Sequence, residues 1–276
     1  RDVHDVHLGQ RRLGDQAPFT ADLLDVRQQL TLGIEIDQST VEVHCHGGVE
    51  AFTAVTVDRR DGFISFRGTL GLRDVVWDAM AFLRKLPIGR GHQGFTNGAL
   101  RVYQDHGIQE KMLSSEFEET EWGGAGHSKG GGEIGSLTGY TIMAEEQGHG
   151  KALKYCLMLC PPRFADREFA KYINDAMGRR IQQVRVCRDI VTLVPPKLFG
   201  LLYHDAGVIS YFNRNGKFFR TISTAGRMWD IGNSVIRDVL IDHKVGAFLA
   251  MHSSSSACDQ LCLKLMPDVF GEEDEE

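Results

Sequence analysis

The pentapeptide Gly126-His127-Ser128-Lys129-Gly130 constrains this chain more than any other stretch. A serine with glycine two residues away on either side suits a sharp strand-to-helix turn, because a side chain at either glycine would meet neighbouring backbone. The same residues also suit a Gly-rich helix start with no chemistry attached. Gly131, Gly135 and Gly139 then recur every fourth residue. Each costs a helix interior about 1 kcal/mol relative to Ala, and close approach of that bare stripe to a sheet offsets the cost. Such an approach would aim the helix N-terminus at a developing oxyanion.

The surrounding pattern fits that turn. Ala51 to Val57 alternates, Asp58 to Gly62 carries an Asp-Gly turn signal, and Phe63 to Phe66 returns as a hairpin. Leu72 to Leu86 reads as an amphipathic helix with Leu72, Val75, Val76, Ala79, Met80 and Leu83 on one face and Pro87 as its stop. A helix to about Glu146, a strand over 155–160, a helix from Asp166 to Met177 and a strand over 183–187 follow. Strands alternating with helices predict a mostly parallel sheet with helices on its faces. Residues 104–121 read as polar and acidic, and Asp22 to Leu30 is the best short helix candidate near the start. With 276 residues and no composition break, one domain over 1–276 is expected, ending in an acidic, disordered tail over 272–276.

Composition narrows the function classes. A net charge of −6 argues against nucleic acid as the main partner, and no apolar run is long enough to span a bilayer. The chain opens Arg1-Asp2-Val3 without an apolar leader, so no signal peptide is expected. The six cysteines form no paired metal pattern. Cys156, Cys160 and Cys187 fall in strand-like runs and read as buried apolar residues, while Cys45, Cys258 and Cys262 leave a disulfide open. His44 and His46 flank Cys45, but no further ligand is placed by spacing, so a surface strand is the simpler reading. No cofactor and no metal are expected.

A serine nucleophile needs a base, and the base a carboxylate. Asp189 stands at the end of a predicted strand, at the carboxyl edge where sites on open α/β sheets form. If the chain order is Ser, acid, His, then His204, His243 and His252 are the available bases.

Six ordered segments carry a resemblance. Phe66-Arg67-Gly68-Thr69, His92-Gln93-Gly94-Phe95, Gly126 to Gly131, Pro162-Arg163 through Phe169, Val186 to Pro196, and Val239 to His243 resemble successive motifs of the class 3, or fungal lipase-like, family. The likeness spans roughly residues 50 to 250. It implies an α/β-hydrolase fold with helices on both faces of the sheet and a lid helix. Carried over residue by residue, it implies Ser128 as nucleophile, Asp189 as orienting acid and His243 as base. An oxyanion hole from Thr69 and the backbone N–H of Lys129 is implied as well.

The resemblance implies a carboxylic-ester hydrolase, with acylglycerols as expected substrates. A phospholipase, a short-chain esterase and a non-catalytic binding protein on the same fold are the alternatives. Position makes the 72–86 helix the lid, in transient contact with a lipid interface, although a permanently packed core helix has the same periodicity. The family leans towards secretion. Two departures stand out. Lys129 replaces the usual Leu, and its cation could either favour anionic substrates or pair with an internal acid. The strand feeding the turn must come from Glu118 to Ala125, whose Gly and Glu content is poor for a buried central strand.

Overall fold

The computed structural model describes residues 35–68, 82–186, 189, 191–195, 203–212 and 218–219. The strands are β1 (Ile36–His46), β2 (Val49–Thr56), β3 (Asp61–Phe66), β4 (Leu83–Lys85), β5 (Arg90–His92), β6 (Glu121–His127), β7 (Tyr155–Leu159), β8 (Ile181–Val186), β9 (Val208–Phe212) and β10 (Phe218–Phe219). The α-helices are α1 (Gln93–Asp105), α2 (Ile108–Leu113), α3 (Lys129–Glu146) and α4 (Arg167–Met177). Among the described residues one eight-stranded sheet runs in the order β1-β2-β3-β6-β7-β8-β9-β10. The pairs from β3 through β9 are parallel, and β2–β3 and β9–β10 are antiparallel. This is the mostly parallel sheet that the strand–helix alternation predicts.

The glycine-rich segment poor in strand propensity is nonetheless a central strand, β6, bonded to β3 and β7. Its neighbours explain the glycines. A Cβ on Gly123 would stand 1.8 Å from the Tyr155 ring, and one on Gly124 would stand 2.5 Å from Ile134. Larger side chains from the adjoining elements fill the space that β6 leaves empty, and each glycine's entropic cost of roughly 0.5–1 kcal/mol is set against that packing.

Helix α3 lies nearly wholly buried, which suits its lack of a polar face. The Ser136, Thr138 and Thr141 hydroxyls donate to carbonyls of the preceding turn, so none of these buried groups lacks a bond. The glycine stripe does meet the sheet at Met158 of β7, but its closest neighbours are rings. A Cβ on Gly135 would stand 2.5 Å from Phe164, and one on Gly139 2.4 Å from Phe169. The stripe thus receives aromatic side chains from α4 and its lead-in as well as the sheet. Asp166 caps α4, accepting from Phe169 N at 2.9 Å.

Three local expectations differ from the structure. The hairpin forms, but the Asp-Gly pair is not its tip: Arg59 takes the left-handed conformation (φ 59) and Asp61 and Gly62 open β3. Gly62 is needed instead because a Cβ there would stand 2.6 Å from the buried Trp122 ring. The 72–86 helix fails at its described end, where Leu83–Lys85 pairs antiparallel with Arg90–His92. Leu86 precedes Pro87 and is steered away from helix, and Leu86 N donates to Gly89 O at 3.0 Å to close a tight turn. The acidic 104–121 stretch holds α2 and a short 3-10 turn over Ser115–Phe117. Residues 69–81, the helix proposed over Asp22 to Leu30, and the tail over 272–276 lie outside the described residues.

The histidine pair around Cys45 is not a surface feature throughout. Alternation along β1 turns His44 inward, where it is buried, and leaves Cys45 exposed as a free thiol. His44 Nδ1 lies 2.8 Å from the His106 carbonyl, which can only accept, so Nδ1 carries the proton. Nε2 then accepts from the Thr53 hydroxyl at 3.0 Å, while Thr53 accepts from Lys111 Nζ at 3.2 Å. Burial holds the His44 pKa below its usual value, a trend reinforced by Lys111 and opposed by the His106 carbonyl and Glu42. A depressed histidine binds its proton more readily in the unfolded chain, so its contribution to stability is complete above about pH 6.5 and falls as pH drops from there towards the folded value. Thermal unfolding between pH 7.5 and 5 should therefore show a falling Tm, and His44→Asn should flatten that fall while lowering Tm at pH 7.5. An equally steep fall in His44→Asn would remove His44 as its origin.

Candidate active site

Ser128 joins β6 to α3 with φ 55 and ψ −125, a conformation that costs a non-glycine residue of order 1–3 kcal/mol and persists only when its surroundings impose it. They do so here. Ser128 N donates to Leu159 O at 2.9 Å, and Ser128 O accepts from Gly131 N at 2.9 Å and Gly132 N at 3.2 Å. A Cβ on Gly126 would stand 2.3 Å from Gly130 O, and one on Gly130 would stand 2.2 Å from Phe66 O. These obstacles are backbone atoms, so no rotamer change could make room. The two glycines of the pentapeptide are therefore required for the reason the sequence suggests.

Parallel pairing of β3 with β6 brings Phe66 opposite Gly126. The chain leaving β3 passes directly beside the turn: a Cβ on Gly68 would stand 2.8 Å from His127 O and 3.4 Å from Ser128 Cβ. Thr69, the next residue, lies outside the described residues. Lys129 is the first residue of α3.

The Lys129 side chain turns inward, away from the role of a substrate-binding cation. Its Nζ sits 3.3 Å from Glu133 Oε1, one helical turn on, and donates to the Gly48 carbonyl at 3.3 Å. Glu133 is fully buried against α1, where a Cβ on Gly98 would stand 3.3 Å from its Oε1. Of the two possibilities that the sequence leaves for this cation, pairing with an internal acid is the one found. Glu133 itself gave no sequence signal beyond its i,i+4 spacing from Lys129.

Asp189 follows β8 at the same carboxyl edge and is buried. Its backbone N–H donates to Val186 O at 3.1 Å, its Oδ1 accepts from Val191 N at 2.9 Å, and its carbonyl accepts from the Thr192 hydroxyl at 2.9 Å. The registers that set His127 opposite Leu159, and Leu159 opposite Val184, bring the ends of β6, β7 and β8 into line. Cys160, at the end of β7 with φ 48, donates its backbone N–H to Val184 O at 2.7 Å. Burial pushes its thiol well above the ordinary range, and neighbouring Asp189 pushes it further.

The other histidines have structural partners. His92 is buried, accepts from Phe95 N at 3.3 Å as the α1 cap, and stacks on the Phe95 ring at 3.9 Å. His204 N donates to Ala165 O at 2.8 Å. His127 packs beside Gly68. His243 and His252 lie outside the described residues, as do Cys187, Cys258 and Cys262. Among the described residues no group of three or more acidic, histidine or cysteine side chains could hold a metal ion, and no helix is long and apolar enough to cross a membrane.

The profile of the family Lipase (class 3) matches residues 63–199. The matched segment contains both the Ser128 turn and Asp189. Solved structures share the fold. Rhizomucor miehei triacylglyceride lipase superposes with a TM-score of 0.59 at 19% identity, over 78% of this chain and 82% of that one. The lipase of Rhizopus microsporus var. chinensis gives 0.57 at 20% identity, over 72% of each chain, and the Lip2 lipase of Yarrowia lipolytica 0.56 at 17%, over 74% and 79%. No curated protein matches the sequence closely. The fold is that of the α/β-hydrolases.

Because Glu133 is buried, the pair with Lys129 generates its own test. Lys129→Leu removes the cation beside the buried carboxylate and should lower stability by about 2–4 kcal/mol, read as a shift in the urea midpoint. Lys129→Leu combined with Glu133→Gln should recover at least half of that loss. Lys129→Leu should also leave the ratio of kcat/KM between neutral and anionic esters unchanged. A changed ratio, or a double variant no more stable than the single one, contradicts an internal role.

Proposed function

We propose that this chain is a class 3 lipase that hydrolyses carboxylic esters, acylglycerols foremost, through an acyl-enzyme on Ser128. The observation that carries the reading is the strained Ser128 backbone at a strand–turn–helix junction on the carboxyl edge of the sheet. Ser128 Oγ attacks the ester carbonyl while His243 takes its proton, and Asp189 holds the imidazole in the tautomer that can do so. The Lys129 backbone N–H, at the open end of α3, and Thr69 hold the oxyanion. His243 then passes its proton to the leaving alcohol, and water repeats the sequence to release the acid. The Asp189 carboxylate is supported in this role by its backbone bonds, which fix it at the sheet edge two strands from the serine.

Acylglycerol as substrate rests on the family and on the triacylglyceride lipase among the structural relatives. Phe82, 83% exposed within the 72–86 segment, is the described residue that fits a lipid-facing surface there, and its carbonyl accepts from Gln93 N at 2.9 Å. That segment is proposed as the part that meets the lipid interface and covers the site in water.

The triad assignment predicts that Ser128→Ala loses several orders of magnitude in turnover and all labelling by a fluorophosphonate. His243→Ala should lose a comparable amount, whereas His204→Ala should keep most activity. Folded variants in which His204→Ala is inactive and His243→Ala is active would reassign the base.

A further inference from the structure

Three segments of the chain converge on one buried guanidinium. Arg163, in the loop after β7, is 2% exposed. Its backbone N–H donates to Val194 O at 2.8 Å. Its Nη1 donates to Leu193 O and, at 2.9 Å, to Pro195 O. Its Nε donates to Asp205 Oδ1 at 3.2 Å. One residue thus holds three successive carbonyls of the stretch that follows Asp189.

The same Asp205 oxygen accepts from Arg185 Nη2 at 2.7 Å, and Arg185, on β8, is completely buried and donates through Nε to Gln183 Oε1 at 2.9 Å. Two guanidiniums therefore share one carboxylate in the interior. Such an arrangement is a poor source of net stability, because desolvating the charges costs several kcal/mol per ion. What it supplies is geometry: a planar fork with five donors can fix several acceptors at once, which an ammonium cannot. The near end of the stretch is fixed by Asp189 itself, through Val191 N and the Thr192 hydroxyl. The far end, from Leu193 to Pro195, is fixed by Arg163.

We propose that Arg163 is a positioning residue for Asp189: by gripping the carbonyls of Leu193, Val194 and Pro195 and anchoring to Asp205, it sets the turn that aims the Asp189 carboxylate. The inference rests on Asp189 being the acid of the triad. Arg163 touches neither substrate nor the reacting atoms, and its effect reaches the serine only through Asp189 and the base.

The test is a mutant cycle on the full chain with a soluble ester, p-nitrophenyl butyrate. Arg163→Lys keeps the charge and loses the fork. It should lower kcat by about tenfold to a hundredfold, the range that small misplacements of catalytic groups produce, with KM within about twofold. In an Asp189→Asn background the same change should cost less than about twofold, because the group it positions is already disabled. Arg163→Gln, which keeps the Arg185–Asp205 pair, provides the same comparison should Arg163→Lys not fold. Losses of equal size in both backgrounds, or an unchanged kcat, would overturn the proposal, since a purely structural residue gives additive losses. If instead Asp189→Asn alone retained near wild-type kcat, the triad assignment would fall, a result that the Arg163 variants cannot mimic.

Discussion

The backbone-to-backbone contact at Gly126, Gly130 and Phe66 is the constraint on which the rest of the site depends. There the end of β3, the end of β6 and the first turn of α3 come so near that no side chain fits between them. That closeness is what imposes the left-handed Ser128, and it is also what brings Arg67 and Gly68 alongside the serine. Hydrogen bonds from Ser128 N to β7 and from α3 back to the Ser128 carbonyl complete the enclosure. Strain at a single residue is held by elements that come from distant parts of the sequence.

Charge is handled by similar enclosure. Lys129 with Glu133, and Arg163 and Arg185 with Asp205, put five ionic groups into or near the interior around the serine and acid loops. Each is tied to carbonyls or carboxylates of a segment adjoining the site. These pairs are spent on fixing loops, and their cost in desolvation is met by the extensive apolar core around α3.

The parts of this architecture legible in the sequence were those that depend on local rules. Alternation and helix periodicity point to the β2–β3 hairpin, α3, β7, α4 and β8, and glycine at two residues either side of Ser128 announces the turn. What escaped has non-local causes. β6 looks unfit as a strand because the side-chain atoms that pack against its glycines belong to Tyr155, Ile134 and Leu153, all of which lie outside β6. Leu83 to Lys85 has helical spacing yet pairs with Arg90 to His92, because Pro87 and Gly89 turn the chain back. Gly62 advertised a hairpin tip but answers to an indole from the neighbouring strand. Arg163 and Asp205 stand 42 residues apart, and no periodicity links them.

The bareness of β6 also bears on the order in which the protein can assemble. A strand reading Glu-Trp-Gly-Gly-Ala-Gly-His offers hydrophobic collapse little beyond a single indole. The β2–β3 hairpin can close locally, and α4 carries a strong apolar face of its own. β6, by contrast, acquires a packed environment only when Tyr155 of β7 and Ile134 of α3 have already arrived. The serine's left-handed geometry is therefore a property of the completed sheet, and a partly assembled chain holds Ser128 as an ordinary, unstrained serine with no elbow around it.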